Sequence, residues 1–189
     1  PFPTDPGFLS RFGITAAEIV VTLRPPASEA HYHAAAGDHL FEGAVDTLLA
    51  QEGVRSFILP RNDRQETRIR QRWPEAIATG HILIPAGVVP GLDLLWHSDL
   101  VIGGGGTMNR EAAALGVPVI SLFQGPSGAL DRYLIETGKL ALVTRPEQLT
   151  CLTHLKKRTR LALDRTGLHQ TRERLVNLLE GLSRGVPVS

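Results

Sequence analysis

Short apolar runs alternate with longer amphipathic segments along this 189-residue chain. The first run, 18–23, predicts a buried strand, because it is mostly apolar and is followed by Arg-Pro-Pro. The same pattern predicts further strands at 54–59, 81–84, 99–102, 117–123 and 140–143. It predicts helices at 38–51, 63–73, 92–96, 107–115, 129–137, 146–165 and 168–182. Alternating strands and helices predict an α/β fold: a single Rossmann-like domain with a parallel sheet of about six strands and helices on both faces.

The start of the chain has the composition of a linker. It reads Pro-Phe-Pro-Thr-Asp-Pro-Gly and does not begin with Met. We therefore expect residues 1–17 to form an extended interdomain lead-in, and the chain to be a piece of a longer protein. The Rossmann-like domain is predicted to span residues 18–183.

Charge and composition narrow the class of partner. A net charge of +1 provides no basic field for nucleic acid, and the basic run 156–158, with Arg160, is expected to be a solvated helix face. The apolar runs are too short to span a membrane. The one cysteine, Cys151, excludes an intramolecular disulfide and indicates a cytoplasmic location. We expect Cys151 to be buried or half-buried.

Four consecutive glycines, Gly103 to Gly106, separate a predicted strand from the predicted helix that begins at Thr107. Glycine permits a sharp turn and lets a ligand approach the backbone closely. A helix start carries unpaired N–H groups and partial positive charge, which favours phosphate binding. The alternative is a tight turn without a ligand, for which two glycines are expected to suffice.

Two common phosphate-binding motifs do not fit this junction. The nicotinamide fingerprint requires a third glycine at position 108, which is Met108, and belongs after the first strand. The Walker A motif requires a Lys after the glycines, and none follows. What remains is a diphosphate at the helix start with Glu111 one turn further on. A carboxylate there can accept hydrogen bonds from both ribose hydroxyls, which indicates a nucleotide sugar; alternatively, it only favours the helix dipole.

The polar loops all follow predicted strands, and ligands bind at that edge of a parallel sheet. Arg24 ends the first strand and is suited either to a phosphate or to a surface ion pair. His31 is suited to a phosphate or sugar, or is a solvated loop residue. His31 and His33 are too few to hold a metal without a carboxylate or cysteine cluster, so no metal is predicted. These loops are 24–33, 85–91, 103–111 and 124–132.

The sequence Gly-Gly-Gly-Gly-Thr-Met-Asn-Arg-Glu-Ala-Ala-Ala-Leu-Gly-Val-Pro at 103–118 resembles a bacterial and archaeal family known as domain of unknown function 354. Glu-Ala-His-Tyr-His at 29–33 and Asp-Arg-Tyr-Leu at 131–134 support the resemblance. Members are described as predicted glycosyltransferases of the GT-B type. The chain is also similar to the C-terminal halves of UDP-N-acetylglucosamine 2-epimerase and the peptidoglycan N-acetylglucosaminyltransferase.

The resemblance implies which residues hold a nucleotide sugar. A glycine turn and helix start bind the diphosphate, a glutamate holds the ribose, and a backbone loop contacts the base. Where the epimerase has Ser this chain has glycine, so the Thr107 hydroxyl is expected to replace that donor. These roles fall on Gly104, Gly105, Gly106, Thr107 and Met108 for the diphosphate, Glu111 for the ribose, Pro85, Ala86, Gly87 and Val88 for the base, and Gln124, Asp131 and Arg132 for the sugar.

The resemblance also implies that the N-terminal GT-B domain, the usual source of a catalytic base, is missing from this chain. We therefore expect donor binding without turnover, with no cofactor and the nucleotide sugar as substrate. Three functions stay open: the donor half of a glycosyltransferase, the same domain of a sugar-nucleotide epimerase or hydrolase with His31 as its catalytic candidate, and a non-catalytic binding module. The base, the donor sugar and the acceptor are not specified by the sequence.

Overall fold

The structure is a computed structural model that describes residues 5–27, 34–160 and the four residues Glu173, Val176, Asn177 and Glu180. The chain divides into two compact units, residues 1–158 and 159–189. The four separate residues belong to the second unit and are helical. Most of the predicted helix at 168–182 lies outside the described residues. Within the described part, no helix combines the length and the apolar character needed to cross a membrane.

Six parallel strands form the sheet of the first unit, in the order β3-β2-β1-β4-β5-β6, which confirms the predicted fold class. The strand order reverses between β1 and β4, and ligands of open α/β sheets bind in the crevice at such a reversal. The strands are β1 Ile19–Arg24, β2 Val54–Ile58, β3 Ile82–Leu83, β4 Leu100–Gly103, β5 Val119–Ser121 and β6 Ala141–Leu142.

Helices cover both faces of this sheet. Neighbouring β1 residues point to opposite faces of the sheet. Val21 packs in the apolar cluster with α1, α2 and α3, and Val20 packs in the cluster with Phe8 and Leu94. A third cluster joins α4, α5 and α6. The helices are α1 Ala34–Leu49, α2 Asp63–Arg72, α3 Pro74–Ala78, α4 Gly91–His97, α5 Thr107–Ala114 and α6 Ala129–Glu136.

Three helix starts differ from the prediction. Helix α1 begins at Ala34, so Asp38 lies inside it and pairs with Arg68 at 2.9 Å instead of capping the helix. Asn62, not Asp63, caps α2, because its extended backbone lets its side chain accept the Gln65 N–H at 2.9 Å. Pro74 ends α2 as expected but also opens α3, since proline suits the first helical position.

The lead-in is not simply extended. It contains a 3-10 helix, Leu9–Phe12, and Phe8 before it is 1% exposed. The Phe12 ring packs edge-on against Phe57 of β2, with centroids 4.9 Å apart. Residues 5–17 therefore contribute apolar side chains to the core of the first unit.

Asp99 holds the end of the first unit against the sheet. Its contacts with residues 157 and 158 show that the prediction of a solvated helix face at 156–158 is wrong. The Asp99 carboxylate is 3% exposed and accepts the backbone N–H groups of Val20 and Arg158, both at 2.9 Å. Lys157 lies 3.3 Å from the same carboxylate and also donates to the Glu18 carbonyl.

The predicted helix from position 146 is a 3-10 helix, Pro146–Leu152, and residues 155–160 are not helical. Cys151 is exposed rather than buried, although partial burial raises the pKa of its thiol.

Candidate functional site

The end of β1 and the glycine run lie side by side where the strand order reverses. Arg24, the last residue of β1, is the register partner of Gly103, the last residue of β4. The Gly104 N–H donates to the Arg24 carbonyl at 3.2 Å. The structure thus brings the predicted arginine and the predicted glycine turn together at the carboxyl edge of the sheet.

Each of the four glycines has a structural cause, so the expectation that a turn alone needs only two is wrong. A Cβ at Gly103 would lie 2.2 Å from Asn109 Oδ1, and one at Gly104 would lie 2.4 Å from the Cα of Pro26. Gly105 and Gly106 have φ angles of 91° and 99°, which other residues rarely adopt. The number of glycines alone therefore does not indicate a ligand.

The start of helix α5 is open. Among the described residues no side chain caps it at Gly106, and a Cβ placed on Gly106 would meet none of their atoms within 4 Å. Thr107 is exposed, whereas Met108 is buried in the apolar cluster of α5, so Met108 can offer a ligand only its backbone N–H. An uncapped helix start with free space beside it has the donors and the partial charge that a phosphate requires.

Glu111 lies one turn into α5 and is exposed. Among the described residues its carboxylate forms no hydrogen bond or ion pair. It is therefore available to hydroxyl groups of a ligand held at the helix start.

Asn109 is a residue that sequence reasoning missed. It is 1% exposed, and its Oδ1 has no donor among the described residues, while its Nδ2 lies 3.5 Å from the Gly103 carbonyl. A polar residue between the core positions Met108 and Ala112 was the available sequence signal. Its side chain occupies the space that a Cβ at Gly103 would need, and so it supports the glycine turn from inside.

Two arginines without carboxylate partners lie near the open turn. Arg24 Nε is buried and has no acceptor within the described chain. Arg61, which follows β2, was not predicted. Its Nε donates to the Pro25 carbonyl at 3.0 Å. Partial burial lowers the pKa of the Arg61 guanidinium, and the positive charge of Arg24 lowers that pKa further.

The residues predicted to contact a sugar are engaged with protein groups. Asp131 accepts two hydrogen bonds from Arg110, each 2.9 Å long, and these bonds hold the pKa of the Asp131 carboxyl below its usual range. Gln124 donates to the Leu122 carbonyl at 3.1 Å, and Arg132 donates to the Ser127 carbonyl. The Arg110–Asp131 pair joins α5 to α6 beside the glycine turn.

The predicted base loop lies between β3 and α4. Val88 is fully exposed there, and Pro85 and Gly87 line a shallow polar depression together with Arg61 and Asn62. This depression connects the loop after β3 to the loop after β2.

The loop after β1 contains the catalytic candidate His31 and the possible metal ligands His31 and His33. Both histidines lie outside the described residues. In the part of the chain that the structure describes, no three His, Cys, Asp or Glu side chains are grouped to hold a metal.

Solved structures define the class of fold to which this sheet and its open edge belong. UDP-GlcNAc 2-epimerase from Methanocaldococcus jannaschii superposes with a TM-score of 0.63 at 18% identity, over 93% of this chain and 50% of that chain. A structure of the M. jannaschii enzyme in complex with UDP-GlcNAc and UDP gives 0.61 at 17% identity, over 93% and 49%. The spinosyn rhamnosyltransferase SpnG gives 0.54 at 19% identity, over 81% and 38%. The first unit thus has the Rossmann-like fold of one half of a GT-B type protein.

The chain belongs to the family described as Protein of unknown function (DUF354), which matches residues 1–173. This match confirms the resemblance drawn from the glycine motif. An uncharacterized protein of Methanocaldococcus jannaschii, MJ0665, is 27% identical over 139 residues, which are 74% of this chain and 38% of that protein. The chain thus spans 38% of this relative and about half of the epimerase.

Proposed function

We propose that this chain is the nucleotide-sugar-binding half of a GT-B type glycosyltransferase that uses a UDP-sugar as donor. The observation that carries the proposal is the uncapped start of α5 beside Arg24, whose buried Nε has no acceptor within the described chain. Both lie at the strand-order reversal, where an anionic ligand finds backbone donors and a cation together.

The contribution of this half to the reaction is electrostatic. When the bond between the sugar and the diphosphate breaks, negative charge grows on the leaving diphosphate. The N–H groups of α5 are fixed by the helix before the reaction, so they stabilise that charge without reorganising, and Arg24 at the end of β1 supplies a positive charge near them. The acceptor and its catalytic base are assigned to the other half of the full-length protein.

The epimerase alternative keeps the same nucleotide site. It is supported by the similarity in fold to the UDP-GlcNAc 2-epimerases. Analysis of sugar products from the full-length protein with UDP-GlcNAc separates the two activities: a transferase releases UDP only with an acceptor present, whereas an epimerase yields an altered sugar without one.

Glu111→Gln is expected to weaken UDP binding about tenfold, because a hydrogen bond to a charged group contributes roughly 1.5 kcal/mol or more. Isothermal titration of the 189-residue chain with UDP and 2′-deoxy-UDP measures the effect. Wild type should prefer UDP over the deoxy ligand, and the variant should lose that preference. Glu136→Gln, an equally exposed carboxylate at the far end of α6, is the matched control. Equal UDP affinity in wild type and Glu111→Gln would remove the ribose assignment.

A further inference from the structure

Arg24 and Arg61 bring two positive charges together at the ends of β1 and β2. Arg61 Nε donates to the carbonyl of Pro25, the residue directly after Arg24, at 3.0 Å. The charge of Arg24 also lowers the pKa of the Arg61 guanidinium, after the larger effect of partial burial. Two like charges repel each other at close range, and this repulsion is relieved when an anion binds between them. Within the described chain, neither arginine forms an ion pair with a carboxylate.

The backbone holds Arg61 in place without using its terminal amino groups. Its Nε donates to the Pro25 carbonyl at 3.0 Å, and Gln65, one turn further along, donates to the Pro26 carbonyl at 2.8 Å. These two bonds connect Arg61 and the first turn of α2 to the Pro25–Pro26 segment directly after Arg24. Among the described residues the two terminal nitrogens of Arg61 have no acceptor. A guanidinium oriented through Nε presents those nitrogens as a fork, which matches two oxygens of a phosphate.

The two carboxylates that line the same depression as Arg61 do not form an ion pair with it. Asp63 and Glu66 line the same depression as Arg61. Glu66 is paired with Arg70 at 2.8 Å, and Asp63 forms no hydrogen bond or ion pair with Arg61. The opening between the loops after β1 and β2 is therefore bordered by two cations whose charge the described residues do not compensate.

We propose that Arg24 and Arg61 clamp the phosphate nearest to the nucleoside, while the start of α5 holds the phosphate nearest to the sugar. The strand order places Arg61, in the segment after β2, between the predicted base loop after β3 and Arg24 at the end of β1, with the glycine turn beyond it at the end of β4. A nucleoside diphosphate lying along this edge places its first phosphate at the arginines and its second at the helix. The assignment rests on the proposed function. It adds nucleoside monophosphates as a ligand class, because their single phosphate would bind to the two arginines and not to the start of α5.

The test is the binding of uridine, UMP, UDP and inorganic pyrophosphate to wild type and to Arg61→Gln. We expect Arg61→Gln to weaken UMP and UDP about tenfold each and to leave uridine binding, followed by NMR line broadening, unchanged. Arg64→Gln removes an exposed arginine of α2, three residues after Arg61, and is the matched control, with all affinities within about twofold of wild type. Arg61→Lys keeps the charge but not the fork, and should retain part of the UMP affinity.

The outcomes separate the clamp from the nucleotide function. If Arg61→Gln binds UMP as wild type does, the clamp is wrong, while UDP binding by wild type still supports the nucleotide site. If Arg61→Gln and Arg61→Lys weaken uridine as much as UMP, Arg61 only braces the Pro25 segment and the clamp is wrong as well. If wild type binds pyrophosphate through Arg61 but no uridine nucleotide, the anion clamp stands and the proposed function falls. If wild type binds none of the four ligands, both are overturned.

Discussion

Replacing Arg24 by methionine is expected to weaken UDP binding about 100-fold while the free energy of unfolding stays unchanged or rises. The two effects have opposite signs because Arg24 Nε is buried without an acceptor in the described chain. A buried donor without a partner costs roughly 1–3 kcal/mol, and methionine removes it while keeping an unbranched apolar chain. Loss of a charge-assisted bidentate contact to a phosphate accounts for the fall in affinity, roughly 3 kcal/mol.

Two measurements on the same preparation check this prediction. Isothermal titration gives the UDP affinity, and urea denaturation gives the free energy of unfolding. Arg64→Met serves as the control, since Arg64 is exposed on α2 and should change neither quantity. A variant that unfolds more readily yet binds UDP normally would identify Arg24 as a structural residue and exclude it from the site.

Asp99→Ala is expected to lower the free energy of unfolding of the first unit by roughly 3 kcal/mol. The substitution leaves the N–H groups of Val20 and Arg158 without their acceptor and removes the partner of Lys157. For a unit of this size the melting temperature should fall by roughly 6–12 °C. Below the transition the UDP affinity should match wild type, because Asp99 lies at the opposite end of β4 from the glycine turn.

Thermal unfolding followed by circular dichroism measures this loss. Glu52→Ala removes an exposed carboxylate in the turn after α1 and should shift the melting temperature by less than about 2 °C. An Asp99→Ala protein that melts with the wild type would show that the backbone around residue 158 is not attached to the core through this carboxylate.

The fold class could be predicted from the sequence because the strands of the sheet are short, mostly apolar segments that alternate with helical segments. The order of the strands could not, since pairing β1 with both β2 and β4 depends on crossovers between elements. Helix starts were predicted less well where two signals competed. Asp38 is of a residue type that often caps helices, but α1 already includes Ala34 to Gly37 before it. At α2, Asn62 precedes Asp63 and is the better-placed acceptor.

The part of the candidate site that lies in one short segment of sequence could be predicted. The glycine run, Thr107 and Glu111 lie within nine residues of each other, and the helix start they form is present. Arg61 escaped prediction because it lies in an irregular segment and reaches Arg24 only through the pairing of β1 with β2. The Arg110–Asp131 pair escaped it for the same reason, since the two residues are 21 positions apart and meet only when α5 packs beside α6.

The most direct test of the central claim is a crystal structure of this chain with UDP bound. The account predicts that oxygens of the terminal phosphate lie within hydrogen-bond distance of the backbone nitrogens of Gly106, Thr107 and Met108, with the ribose against Glu111. UDP seated elsewhere on the molecule, with the start of α5 unoccupied, would contradict it.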